Sequence, residues 1–260
     1  MIKYEAKWFK SPLDIPERCS GKVRVQHHIL TPGSETPVVG MRQAIIRGMR
    51  PSMAIINEPL RVHELVHQDH GLWMTDLPEE LNQIAEMLHN LKPSGNILVG
   101  GLGLGILALT LADRADVENI TVVEIDPDVI NLCAQPGYDV VNADINQFLQ
   151  TTTKKFDFYI LDTWQGTNEG TWWNTVLPLR RIIRQRWGKR PVVHCWAEDI
   201  MQGQVFRSLT TKPPHWYYEG LPLPMTERVA KQFLRDIGFP TWEKRYGKTV
   251  NKNLGIKEGT

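Results

Sequence analysis

The sequence predicts an α/β fold: a doubly wound, mainly parallel sheet with helices on its faces, preceded by a small amino-terminal β region. Three observations predict it. From residue 96 onward, apolar β-like runs alternate with helix-spaced segments, the pattern of parallel strands joined by crossover helices. Ile97-Leu98-Val99 opens into Gly100-Gly101-Leu102-Gly103-Leu104-Gly105 and then Ile106-Leu107-Ala108-Leu109, which reads as a strand, a glycine turn and a helix. A second apolar run, Ile120-Thr121-Val122-Val123, closes on Glu124-Ile125-Asp126. Together these make a Rossmann-like grip on a nucleoside: glycines let the backbone approach the ligand, and a strand-end carboxylate holds ribose hydroxyls.

The bulk numbers fit that class. A chain of 260 residues is long enough for one large domain with an appendage. At 42% hydrophobic and 23% charged it has the composition of an ordinary soluble globular protein. The first eight residues, Met1 to Trp8, contain no apolar core of a signal peptide, so a secretory signal is not expected. The longest uncharged apolar run, residues 97–112, is shorter than the roughly 20 residues of a membrane helix and holds four glycines. Cys19, Cys133 and Cys195 are odd in number and far apart, which suits neither a disulfide framework nor a zinc ribbon; a cytoplasmic setting is expected. The net charge of +1 is unevenly spread: residues 96–174 carry 11 acidic and 3 basic side chains, residues 175–260 carry 7 and 16. A solvated surface is the favoured reading of that basic half, with an anionic partner as the alternative.

Each element follows in order. Residues 1–57 are rich in Pro and Gly, with β-like runs at 22–26 and 54–56. Residues 62–76 read as two short strands around Asp69-His70-Gly71, completing an amino-terminal region over 1–77; the α/β domain with a carboxy-terminal helical extension takes 78–260. A helix is predicted over 78–91 from the spacing of Leu81, Ile84, Ala85 and Leu88, capped by Thr75 or Asp76 and stopped by Pro93-Ser94-Gly95. Strands follow at 96–99, 120–124, 139–142, 156–161 and 191–196. Helices are expected from 105, over 127–133, through Phe148-Leu149, over 174–187 and over 226–237.

Ligands of such sheets bind outside the carboxyl ends of the strands, near the point where strand order reverses. Three carboxylates stand at three predicted strand ends: Glu124, Asp144 and Asp162. Upstream of them come Gly71-Leu72-Trp73-Met74-Thr75-Asp76 in the hairpin, Glu86-Met87-Leu88 in the helix, the turn Gly101-Leu102-Gly103-Leu104-Gly105, and Val123-Glu124-Ile125-Asp126. On these motifs, over about residues 60–165, the chain resembles the class I S-adenosylmethionine-dependent methyltransferase superfamily, and within it the spermidine-synthase-like branch. The resemblance implies S-adenosylmethionine as cofactor, with Gly101, Gly103 and Gly105 beneath it, Glu124 on the ribose, Ile125 flanking the adenine and Asp144 at its amino group. It implies Asp162 beside the sulfonium as a base or orienting group, and a homodimer as a feature of such relatives.

Two departures separate the chain from polyamine synthases, which carry an acid inside the glycine turn, where Leu104 stands, and two aspartates in the fourth strand-end motif, where Asp162-Thr163-Trp164-Gln165 has one. A multiply charged polyamine needs several carboxylates to offset its desolvation. Methyl transfer to an unidentified small-molecule acceptor is therefore preferred to aminopropyl transfer. Methyl transfer asks for in-line alignment and, for some acceptors, a base. Trp164, Trp172 and Trp173 follow on the same loop, where aromatic faces suit a planar acceptor or the sulfonium, or else pack the loop on the core.

Three competing signals stand beside this. His63-Glu64-Leu65-Val66-His67 matches a zinc-protease pattern, but that chemistry needs a helix and the local sequence favours a hairpin, so no metal is expected. Gly103-Leu104-Gly105-Ile106-Leu107-Ala108 also fits a dinucleotide fingerprint of an NAD-dependent oxidoreductase, although Gly100 and Gly101 intervene after the strand and Asp144 has no place in it. A non-catalytic module is the third reading, with Arg180, Arg181, Arg184, Arg186, Lys189 and Arg190 as contacts to nucleic acid; a solvated helix face is preferred there too.

Overall fold

Alternating apolar residues build the amino-terminal strands. In the computed structural model, which describes residues 11–39, 52–164 and 171–202, β1 (Arg18–Ser20) pairs with β2 (Val23–Leu30), while β3 (Glu35–Val39) and β4 (Ser52–Ile55) pair with each other. The β2 strand also pairs antiparallel with β5 (Leu60–His67), which turns back into β6 (Gly71–Thr75) through the predicted hairpin. The four form one sheet in the order β1-β2-β5-β6. Val23 and Val25 on β2, and Val62 and Leu65 on β5, are buried.

The helix expected over 78–91 is α1 (Pro78–Leu91), with Ile84, Met87 and Leu88 on its buried face. Its start corrects the predicted cap: Leu77 occupies the N-cap with no side-chain hydrogen bond. Asp76 is unavailable for capping because both its oxygens are taken by His63. At the other end Lys92 adopts a left-handed conformation, φ 47°, and its N–H closes on the Leu88 carbonyl. Glu79 and Glu80 lie in the first turn, where the helix dipole favours negative charge.

The second sheet comes next in the chain. It contains β7 (Gly95–Gly100), β8 (Val117–Glu124), β9 (Asp139–Asn142), β10 (Phe158–Leu161) and β11 (Val192–Cys195), in the order β11-β10-β7-β8-β9. Helices α2 (Ile106–Ala112), α3 (Pro127–Cys133) and α4 (Ile145–Thr151) connect β7 to β10 in turn. The pairs β10·β7, β7·β8 and β8·β9 are all parallel. Ile97, Leu98 and Val122 are fully buried, as parallel strands covered on both faces require. From β7 the chain winds outward through β8 to β9, then returns to the opposite side of β7 to lay down β10. The switch point therefore falls between β7 and β10, where Gly100 is in register with Leu161. Two boundaries differ from expectation. The β8 strand begins at Val117, because Gly95 pairs with Val117 before a register shift, and the polar Glu118 and Asn119 hide that extension from an apolar pattern. The helix expected over 174–187, α5 (Leu177–Trp187), is entered through a π-helical turn at Trp172–Val176, ahead of the predicted start.

The chain divides into two compact units, residues 1–163 with 189–194, and residues 164–188 with 195–260; the 77/78 boundary read from the sequence lies inside the first. Within the second, α5 buries Leu177, Leu179 and Ile183. Arg180 and the buried Glu198 form a two-pronged ion pair. The expected helix over 226–237 and residues 1–8 lie outside the described residues. No helix among the described residues is long and apolar enough to cross a membrane.

Candidate functional site

The site is built at the carboxyl end of β7. Gly101, Gly103 and Gly105 have φ of 90°, 53° and 83°, left-handed values that disfavour any residue with a Cβ. Space forbids one as well. At Gly101 a Cβ would overlap the Asp162 carbonyl oxygen, and at Gly103 the Met74 sulfur. At Gly105 it would lie 2.9 Å from the Tyr138 hydroxyl. Leu102 and Leu104 are buried between them and pin the turn to the core. Leu104 is wholly enclosed, so the position where polyamine synthases place an acid is here an aliphatic anchor.

Glu124, the last residue of β8, is held in a fixed orientation. One carboxylate oxygen accepts the Leu102 N–H at 2.8 Å and the other the Asp126 N–H at 2.9 Å. A carboxylate oxygen has two acceptor positions, so each retains one for a ligand hydroxyl. Next to it Ile125 is 65% exposed, a large aliphatic side chain standing in solvent at the strand end. The Asn142 amide donates to the carbonyls of Glu124 and Ile125, both at 3.0 Å, and so braces this corner. Sequence reasoning passed over Asn142, since its partners are 17 and 18 residues away and only the sheet brings them together.

Asp144 caps α4, accepting the Gln147 N–H on one oxygen at 3.0 Å. Among the described residues its second oxygen has no hydrogen bond. Asp126 caps α3 in the same way through the Asp128 N–H. Acid followed by a helix is a readable N-cap signal, and both residues obey it.

Asp162 follows β10 at the switch point, its N–H donating to the Gly100 carbonyl at 2.8 Å. Its side chain reaches solvent, yet protein surrounds it on most sides. That desolvation, with the charge of Glu80 adding to it, pushes the Asp162 carboxyl up to about 7. Glu80 in the first turn of α1 is likewise pushed up to about 7, by burial and by the neighbouring Glu79. The sequence reading missed Glu80. Its only linear signal is that of an acid in a first helical turn; what matters is that α1 carries it toward the end of β10.

Trp164 and Trp172 belong to the second unit. Trp172 is fully buried there, its Nε1–H on Glu198 at 3.4 Å, and the indole N–H of Trp164 is buried without an acceptor among the described residues. The Trp173 side chain lies outside what is described. Arg181, Arg184, Arg186, Lys189 and Arg190 are exposed, and the Arg186 guanidinium lies 4.8 Å over the Trp187 ring. His63-Glu64-Leu65-Val66-His67 runs along β5, as the hairpin reading requires. The His63 ring nitrogen Nδ1 pairs with the Asp76 carboxylate across 2.6 Å, Glu64 is engaged by Gln26 and His28, and His67 stacks on both His70 and Trp73. Among the described residues no group of three His, Cys, Asp or Glu side chains is placed to hold a metal ion.

The fold and these residues define a doubly wound α/β domain that carries a glycine turn, a fixed carboxylate and an exposed aliphatic side chain at the carboxyl ends of β7 and β8. No protein-family model matches the sequence, and no curated protein does. Among solved structures, the chain is similar to a TehB-like SAM-dependent methyltransferase from Corynebacterium glutamicum, with 21% identity over 42% of this chain and 59% of that one and a TM-score of 0.33. It is similar to spermidine synthase from Thermotoga maritima, with 17% identity, 52% of each chain covered and a TM-score of 0.33. A third is the SAH-bound methyltransferase from Podospora anserina, with 15% identity, 67% and 66% covered and a TM-score of 0.36. The chain thus spans 59% and 52% of the length of the first two.

Proposed function

We propose that the chain binds S-adenosylmethionine at this glycine turn and carboxylate and transfers its methyl group to an acceptor. One observation carries the reading: Glu124 is locked by two backbone amides beside the exposed Ile125, directly across from a glycine turn that admits no Cβ. A carboxylate with a free acceptor position on each oxygen suits the two hydroxyls of a ribose. Ile125 suits the face of an adenine ring, and the uncommitted oxygen of Asp144 suits its amino group.

When bound, the cofactor supplies an electrophilic methyl group on a sulfonium. The chain's own residues then hold, orient and shift protons. Gly101 keeps the backbone low enough for close approach, and Glu124 fixes the nucleoside end. Asp162, with its affinity for protons raised into the neutral range, accepts a proton from an acceptor that must lose one on methylation. The enclosed Leu104 supports methyl over aminopropyl transfer, since it removes a carboxylate a polyamine would need.

Titration calorimetry on the full chain tests this with S-adenosylmethionine, S-adenosylhomocysteine and NAD. Saturable binding of the first two, without binding of NAD, is the expected result. Binding of NAD alone would replace the methyltransferase reading by the oxidoreductase one.

A further inference from the structure

Resting on the cofactor reading above, we propose that Met74 is a positioning residue, whose thioether latches the glycine turn in the form that receives the ligand. The sulfur accepts the Leu104 N–H at 3.3 Å and occupies the space where a Cβ of Gly103 would fall. Met74 lies near the end of β6, opposite Leu65 of β5, and so it reaches the turn from a different sheet.

The other amides of the turn show what this contact adds. The Gly101 N–H donates to the Val123 carbonyl, the Leu102 N–H to Glu124 and the Gly105 N–H to the Leu102 carbonyl. These three are satisfied from β8 and from the turn itself. The Leu104 N–H is satisfied from the hairpin, through sulfur. The Gly103 N–H has no acceptor among the described residues. Because the Leu104 side chain is wholly buried, the peptide that precedes it is held on one side by the core and on the other by Met74. The unclaimed Gly103 N–H belongs to the preceding Leu102–Gly103 peptide, so the held Gly103–Leu104 peptide restricts it through the two dihedral angles of Gly103, whose φ is 53°.

Sulfur is a weak acceptor on a flexible, unbranched side chain, which makes the contact a latch that can open and close. Gly103 is consequently required twice, by its φ of 53° and by the sulfur above it. Losing one modest hydrogen bond corresponds to roughly a 3- to 10-fold change in affinity.

The test compares Met74→Leu, which keeps the bulk and removes the acceptor, with Met74→Gln, whose amide oxygen restores an acceptor at similar reach. S-adenosylhomocysteine affinity by calorimetry should fall about 3- to 10-fold in Met74→Leu and stay within about 2-fold of wild type in Met74→Gln. Gly103→Ala should weaken binding more, and the double variant Met74→Ala with Gly103→Ala should bind better than the product of the two single losses, because the overlap is relieved. Hydrogen exchange of the Leu104 amide, without any ligand, gives the independent readout: faster in Met74→Leu and restored in Met74→Gln. A packing role alone would leave the Leu and Gln variants alike in both measurements, and that outcome overturns the latch. Failure of the wild-type protein to bind S-adenosylhomocysteine overturns the cofactor reading instead, and with it the ligand half of the latch; exchange at Leu104 then decides the other half.

Discussion

Two regions of the first unit hold acidic side chains on or beside strands, and they spend them differently. In the amino-terminal hairpin the acids are consumed by the protein. Asp76 takes the His63 N–H and ring nitrogen, both at 2.6 Å, and Glu64 takes Gln26 at 2.5 Å and His28 at 3.2 Å. At the ends of the parallel strands the acids are only half spent: Glu124 and Asp144 accept backbone amides and keep acceptor capacity, while Asp162 is raised toward neutrality. Residue type is the same in both places. Position relative to the open end of the parallel sheet separates a structural acid from one available to a ligand.

The largest expected effect breaks the comparison on the hairpin side. Asp76→Ala strands the buried backbone N–H of His63 and its ring nitrogen, and should cost about 3 kcal/mol of stability in urea unfolding. The folded fraction should still bind S-adenosylhomocysteine within a few-fold of wild type. A stability change below about 0.5 kcal/mol would show that the hairpin acids are as dispensable as surface charges.

Glu124→Gln sharpens the other side. The Gln oxygen can take one of the two backbone N–H groups while its NH2 faces the other, so stability should fall by about 1 kcal/mol, and in the folded protein loss of the charged acceptor for a ribose should weaken cofactor binding at least about 30-fold, near 2 kcal/mol. Unchanged affinity in calorimetry would put the nucleoside elsewhere.

Much of this was legible in the chain, for physical reasons that differ by element. The strands of the parallel sheet announce themselves because burial on both faces demands continuous apolar runs, as in Ile97-Leu98-Val99. The juxtaposition of Gly101, Gly103 and Gly105 with Glu124 was readable because it is a local object, one glycine turn and the end of the strand after it. The start of β8 was not, because Glu118 and Asn119 are polar edge residues whose strand character comes from their partner strand. The α1 cap was misread because Asp76 has a tertiary partner, His63, that local propensity does not contain. Met74, Glu80 and Asn142 share that limitation: each acts on a residue distant in sequence, and a thioether, a helix-turn acid and an amide carry no mark of it. His63-Glu64-Leu65-Val66-His67 shows the reverse error that motif reading invites. Its spacing suits zinc on a helix, and on β5 the same residues instead find Asp76, Gln26, His28, His70 and Trp73.

The smallest effect concerns Glu80 and Asp162, and its sign follows from linkage. Both carboxyls bind protons more tightly in the folded chain than their ordinary values of 4.5 and 3.8, each reaching about 7. Between those limits the folded state holds more protons than the unfolded state, so their contribution to stability falls as pH rises toward 7 and is lowest above it. Glu80→Gln removes one of the two charges. At pH 4 wild-type Glu80 is already mostly protonated and the substitution should be close to neutral. At pH 8 it should stabilise the fold by on the order of 1 kcal/mol after solvent screening, read as a higher melting temperature. The helix dipole opposes this gain, because a charged residue in the first turn of α1 is favourable by roughly 0.3–1 kcal/mol. The decisive quantity is therefore the difference between the two pH values, from which any effect of the substitution independent of Glu80 ionisation cancels. A carbon-detected NMR titration of Asp162 gives the companion readout, moving downward in Glu80→Gln because the like charge is gone while the desolvation stays. An Asp162 titration that does not move would mean that Glu80 does not act on the strand-end acid, and α1 would then belong with the hairpin, on the structural side of the comparison.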